Sequence, residues 1–385
     1  MKLVIKKGDG LQGRLFLFVV AFPLVSYAAR VWALDFLDEY SIALPFVVLL
    51  KFIVVLLAMY AIIGWHVQKY ERRDELYAQR VFDSAWKLAA YFFIVIAAAS
   101  SAVGLFHVSN FFSPDVAIAI ALLMGNVPLT VLLVVESTFL GNKGALFFLI
   151  IFLFLRDGIS RRQMVFLISS LALLPFLYLL GRVASASVIL EGQFDLSSII
   201  ELFRSLLSKS DTYLFLIDSM SKRLNQYDGV EFGLQYGQSL AYSALDPQFL
   251  LTRVVDSFTP FGSSVPSFGS YIGRQMLPEI DFARGYAGAL GILGQIAVAD
   301  LIDIIVLMMI TFIMTYLGLR AFSRLPGRRV HLLFASLAFS PVLISGNMDS
   351  VVVLFLRLLF GIAVLRILSG FFRAILTKSI KVSFA

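Results

Sequence analysis

Apolar positions fall into runs of about twenty residues separated by short polar breaks, the length a helix needs to cross the hydrocarbon core of a bilayer. Residues 15–34 make the first run, 43–65 the second and 88–107 the third. Residues 115–138 are also apolar, but Gly125-Asn126-Val127-Pro128 interrupts them and Glu136 lies among them. They read as a broken pair or re-entrant hairpin, which is tolerated at membrane depth only under cover of other protein. Residues 144–156 and 163–181 complete the first half. The stretch 182–285 is the one long segment not apolar enough for lipid. After it, 286–320 is apolar again and longer than one upright helix needs, and Asp300 and Asp303 interrupt it, predicting a tilted or broken helix. Residues 331–345 and 350–372 close the pattern around a short loop, Ser345-Gly346-Asn347-Met348-Asp349. The expectation is an all-α polytopic membrane protein of about 9–11 transmembrane helices. Its parts would be an N-terminal bundle 1–181, a large loop 182–285 and C-terminal membrane helices 286–385.

Composition agrees. The 385 residues are 59% hydrophobic and 15% charged, with mean hydropathy +0.89, whereas a soluble domain carries roughly a quarter charged residues. The net charge of +7 needs no nucleic-acid partner, because basic residues have a topological use here. They gather at Lys69–Lys87, at Arg320–Arg329 and at Arg373–Lys381, while the loop with Asp35, Asp38 and Glu39 has none. The positive-inside rule then puts both termini in the cytoplasm. It puts 182–285 outside provided that 115–138 turns back. As a single span, that run would send Arg156, Arg161 and Arg162 outward. Lys2, Lys6, Lys7 and Arg14 before an apolar run and Ser26-Tyr27-Ala28 mimic a signal peptide. The apolar character continues to Ala33, so the reading is an uncleaved first span. Without cysteine there are no disulfides, thiol catalysis or thiolate metal sites, and His66, His107 and His331 are too scattered to suggest a zinc site, so the residues themselves name no cofactor.

The long loop holds the candidate chemistry. Asp195 can cap a helix with the apolar stripe Leu196, Ile199, Ile200, Phe203 and Leu207, and Asp211 a second helix lying on the membrane surface. Asp246-Pro247 is a helix start, cap then first-turn proline, for a third helix running to about Phe258. Thr259-Pro260-Phe261-Gly262 ends it and opens a Ser/Gly/Pro loop. Eight basic residues lie in the loop: Arg182, Arg204, Lys209, Lys222, Arg223, Arg253, Arg274 and Arg284. Guanidinium groups suit bidentate phosphate recognition, and Arg182 and Arg284 flank the loop at headgroup depth. Eleven Asp and Glu in the loop offer ordinary pairing as the competing explanation. Arg253 and Asp256, three apart on a helix, share a face, either as a surface ion pair or as part of a site. Glu279 and Asp281 sit beside Arg274 and Arg284. A carboxylate among cations can accept the proton of an attacking hydroxyl in an inverting glycosyl transfer. Asp300 and Asp303 are either functional intramembrane charges or interfacial residues at a helix break. Tyr227, Tyr236, Tyr242, Tyr271 and Tyr286 can stack on sugars or pack at the interface.

Gly285-Tyr286-Ala287-Gly288-Ala289-Leu290-Gly291-Ile292-Leu293-Gly294 after the loop, and Gly141-Asn142-Lys143-Gly144-Ala145 before an inward span, give the layout a likeness. The chain resembles the Wzy-type O-antigen polymerases and, more broadly, the oligosaccharide repeat-unit polymerases and O-antigen ligases. The resemblance implies a GT-C-like, metal-independent glycosyltransferase of the bacterial inner membrane with a periplasmic active site. Undecaprenyl-diphosphate-linked glycans would be donor and acceptor, and membrane lipid and a chain-length regulator protein would be partners. One of Asp256, Glu279 and Asp281 would be the base. Arg182, Arg253, Arg274, Arg284, Lys143, Arg223 and Tyr286 would bind substrate. A ligase is the nearest rival, but that family uses a histidine in its loop and this loop has none. A lipid-sugar flippase is the rival from another class. Transporters show internal repeats and polar residues within spans, whereas here the polar residues concentrate in one loop.

Overall fold

A computed structural model describes residues 9–36, 44–72, 83–102, 112–139, 196–208, 226–236, 245–257, 290–322, 325 and 347–383, with scattered positions between 162 and 183. Among these residues all regular structure is helical. Four helices are long and apolar enough to cross a membrane: Gln12–Trp32, Phe46–Tyr70, Leu301–Ala321 and Met348–Thr377. The protein is an all-helical membrane protein, as the hydrophobic runs predict.

The chain clusters into two compact units, neither continuous in sequence. The first comprises Met1–Ala78, Lys222–Arg324 and Ser336–Leu356. Here α1 (Asp9–Phe16) passes through a π-helical turn, Leu17–Ala21, into α2 (Phe22–Phe36). The turn buries Phe18, Val19 and Val20, and α3 (Phe46–Glu71) packs against it. Phe52, Leu56, Met59 and Ile63 form the inward stripe of α3, at the three-to-four-residue spacing of one helix face. Phe46, Val47, Val54 and Leu57 stay exposed. Such an apolar band would be a liability in water and is the normal surface of a helix in lipid. In the second unit, which includes Gln79–Ser221 and Arg357–Ala385, α4 (Ser84–Ala102) packs on α5 (Pro114–Met124), and α5 on α6 (Val127–Phe139).

The predicted break in 115–138 is present. Gly125 takes the left-handed conformation, φ 69°, at the end of α5. Its N–H bonds to Leu122 O (2.9 Å), and that of Asn126 to Ala121 O (3.2 Å), a Schellman close that glycine adopts without a Cβ penalty. Asn126 Oδ1 then accepts the Leu129 N–H at 3.2 Å and caps α6. Every residue of α5 from Val116 to Leu123 is buried. A helix apolar on all sides and too short to span is a core element; at the break itself Gly125 and Asn126 are half-buried, Val127 is buried and Pro128 is exposed.

The long polar stretch contributes α7 (Leu196–Leu207) to the second unit, and α8 (Tyr227–Tyr236) and α9 (Pro247–Ser257) to the first. α7 forms where its apolar spacing predicts, with Ile199 buried and Phe203 and Leu207 half-buried on the predicted stripe, and Ile200 at its exposed edge. Ile199 is buried with Val183 against Phe139, Leu179, Leu180 and Leu206, while Ile200 is exposed. The helix expected after Asp211 lies outside the described residues.

The apolar stretch after residue 286 breaks as predicted, into α10 (Gly291–Val298) and α11 (Leu301–Phe322). Asp300 and Asp303 explain the break. Asp300 Oδ1 accepts the Asp303 N–H at 2.8 Å, and Asp303 Oδ2 accepts the Asp300 N–H at 3.4 Å. This is a reciprocal capping box, which gives both carboxylates a structural role at the start of α11. Lys51 of α3 closes the other side, donating to Ala297 O and Ala299 O at 3.3 and 2.5 Å, where the carbonyls at the end of α10 lack helical partners.

Candidate functional site

The site starts from the Asp246-Pro247 helix start. Asp246 Oδ1 accepts the Phe249 N–H at 2.7 Å, and α9 runs from Pro247 to Ser257, one residue short of the expected end. On α9, Arg253 Nη1 lies 3.6 Å from Asp256 Oδ2. Arg253 Nε lies 3.6 Å from Asp349 Oδ2, in the first turn of α12 (Met348–Ser383). The side chains of Arg253, Asp256 and Asp349 are 15%, 9% and 0% exposed, so this is a sheltered cluster and not a helix-surface pair. A buried ionic group carries a large desolvation cost and survives only when well partnered. Among the described residues, one guanidinium lies between two carboxylates, an arrangement that can hold both acids in place. Asp256 is the more accessible of the two acids; Asp349 also accepts from Ser350 Oγ at 3.4 Å.

Two neutral side chains tie the start of the helix that carries Asp349 to α10, and a third holds α10 itself. Gln295 of α10 accepts the Met348 N–H at 2.9 Å through Oε1 and donates to Gly291 O at 2.8 Å through Nε2. Asn347 Oδ1 accepts the Leu290 N–H at 3.0 Å. Gln226 Oε1 accepts the Leu293 N–H at 3.1 Å. The first turns of α10 and α12 thus cap each other, each satisfying donors that a helix start leaves open. Asn347, Met348 and Asp349, which the sequence reading places in a short loop, are buried at this junction. α8 presses on α10 so closely that a Cβ on Gly229 would overlap the Leu290 carbonyl, and one on Gly294 the Gly229 carbonyl. Small residues permit such backbone contact between helices, which gives the glycine spacing at Leu290–Gly294 a packing role.

A second polar group lies where α8 meets α2. The rings of Tyr27 and Tyr227 are 5.6 Å apart. Burial raises the pKa of Glu231 above the ordinary value of 4.5, neighbouring Asp228 adds to the rise, and Arg30 opposes it.

Of the residues singled out from sequence, the structure brings Arg253 and Asp256 together. Glu279, Asp281, Arg182, Arg274, Arg284, Lys143, Arg223 and Tyr286 lie outside the described residues. Sequence reasoning missed Asp349, Asn347, Gln226 and Gln295. Gln295 did leave a mark, as a lone amide within an apolar run, where a polar residue needs a partner. Among the described residues no group of three or more His, Asp or Glu could hold a metal ion. No protein-family model, curated protein or solved structure matches the chain.

Proposed function

We propose that this protein is a glycosyltransferase of the repeat-unit polymerase type. It would join undecaprenyl-diphosphate-linked oligosaccharides at the periplasmic face of the inner membrane. The proposal keeps the GT-C-like layout of about 9–11 spans and the outward orientation of 182–285, both of which rest on the hydrophobic pattern and the positive-inside rule. The observation that carries it is the sheltered Arg253–Asp256–Asp349 cluster, built on the last turns of the helix that Asp246-Pro247 starts. In the proposed reaction an acceptor sugar hydroxyl attacks the anomeric carbon of the donor glycan. Asp256 takes the hydroxyl proton, the new glycosidic bond forms, and the bond to the lipid diphosphate breaks with its electron pair on phosphate oxygen. Arg253 and Asp349 orient Asp256. Arg182, Arg274 and Arg284 are the candidates for stabilising the departing diphosphate.

The test is elongation of a lipid-linked repeat unit by purified protein in proteoliposomes, read as a glycan ladder with release of undecaprenyl diphosphate. Wild type should give both products. Asp256→Asn, Arg274→Ala and Arg284→Ala should abolish them at unchanged protein level. A normal ladder from all three variants, or a cytosolic location for a reporter fused near Asn225, would overturn the reading.

A further inference from the structure

The other end of the first unit carries a different chemistry. α3 and α11 run side by side in the same direction. Lys51, near the start of α3, bonds to the backbone just before α11, and His66, near its end, packs its ring on Phe312 and Tyr316 at 4.8 and 6.1 Å. The ends of both helices therefore arrive together, with Lys69 and Arg72 on one and Arg320 on the other. There a shallow cleft of about 310 Å³ is lined by Trp65, Gln68, Lys69 and Arg72. Lys69 Nζ sits 5.6 Å from the centre of the Trp65 ring, and Trp65 is 58% exposed at the end of the apolar span Phe46–Tyr70.

We propose that this cleft binds the phosphate of an anionic membrane lipid. Lys69 and Arg72 would supply the charge, Gln68 a neutral donor, and Trp65 a ring to lie along the glycerol backbone. Cations at the last turn of a helix have an ordinary use, complementing the helix dipole. That use requires neither a flanking tryptophan nor an amide turned to the same cleft. Depth selects a lipid over an acidic peptide. The cleft lies where the apolar span ends, which is where headgroup phosphates sit, and interfacial tryptophan marks the same level. Basic side chains near an anionic surface each contribute about fivefold in affinity, so losing both should cost roughly 25-fold.

The test uses the full chain with Trp32→Phe and Trp86→Phe, leaving Trp65 as the sole emitter, in phosphatidylcholine vesicles holding a minor fraction of phosphatidylglycerol. Either lipid is brominated near its headgroup in turn. The expected result is quenching by the brominated phosphatidylglycerol well above its mole fraction, abolished by Lys69→Gln with Arg72→Gln. Circular dichroism and size-exclusion profiles verify the fold, and Arg72→Gln alone replaces the pair if the pair misfolds. Quenching that follows mole fraction in the parent protein, or a preference that survives the substitutions, overturns the proposal. So does loss of the preference on adding inorganic phosphate at constant ionic strength, which would identify a free anion as the ligand.

Discussion

Replacing Gln295 by methionine, nearly its equal in volume, should loosen the junction that holds Asp349. Gln295 is 1% exposed and serves two helices at once. The substitution leaves the Met348 N–H without its 2.9 Å acceptor and removes the 2.8 Å bond to Gly291 O. An orphaned buried donor costs about 1–3 kcal/mol. The Gly291 carbonyl loses less, because a helical carbonyl at that position still has its own turn to bond. Burying a thioether in place of an amide returns part of the loss, so the net cost should be about 1–3 kcal/mol. If the junction opens locally, amide exchange at Met348 should accelerate by roughly 5- to 150-fold. Exchange at Phe52 and Leu56 of α3, which make no bond to Gln295, should hold. Mass-spectrometric hydrogen exchange in detergent reads both regions, and a thermal melt reads the global change. An unchanged Met348 amide together with an unchanged melt would show that the mutual caps do not hold α10 to α12, and the account of how Asp349 is positioned would fall.

Three further outcomes follow from single contacts. Gly229→Ala drives a methyl into the Leu290 backbone, which cannot rotate away as a side chain can, and should cost about 1–3 kcal/mol or more. Gly370→Ala, with nothing within 4 Å, should raise the melting midpoint through helix propensity worth up to about 1 kcal/mol, and equal melts for the two variants would refute the close-packing argument. The Asp83 carboxylate is held below its ordinary 3.8, first by the Trp86 N–H and then by Arg373. Its contribution is complete above that value and is lost as pH falls through the lower folded-state one. Asp83→Asn keeps a good N-cap but removes the charge, so an acid titration of the melt should lose this component of its slope. The raised Glu231 has the opposite sign: it favours the fold at low pH and opposes it once ionised. Glu231→Gln should therefore raise the melting midpoint at neutral pH and leave it unchanged well below pH 4.5, and an equal shift at both would refute the titration argument.

The sequence alone determined what short-range physics encodes. Apolar runs of membrane-spanning length set the helical class. The Gly125–Asn126 punctuation located the break in 115–138, Asp246-Pro247 located the start of α9, and Asp300 and Asp303 marked the break before α11. Each of these signals works within about one or two helical turns, where caps, glycine conformations and hydrophobic periodicity act. Spacing on one helix likewise brought Arg253 to Asp256. Tertiary structure decided the rest. Nothing local pairs Arg253 with Asp349, or links Gln295 to Met348, Asn347 to Leu290 and Gln226 to Leu293 across 53, 57 and 67 residues. A buried amide or carboxylate must find some partner, and sequence announces that need. Which partner answers depends on which helices pack together, and that is set by side-chain shape and by close approaches such as Gly229 on Leu290. The same cause buries Asn347, Met348 and Asp349: the Asn347 amide and the Met348 N–H found partners on α10 and the residue before it, and so had no need of water.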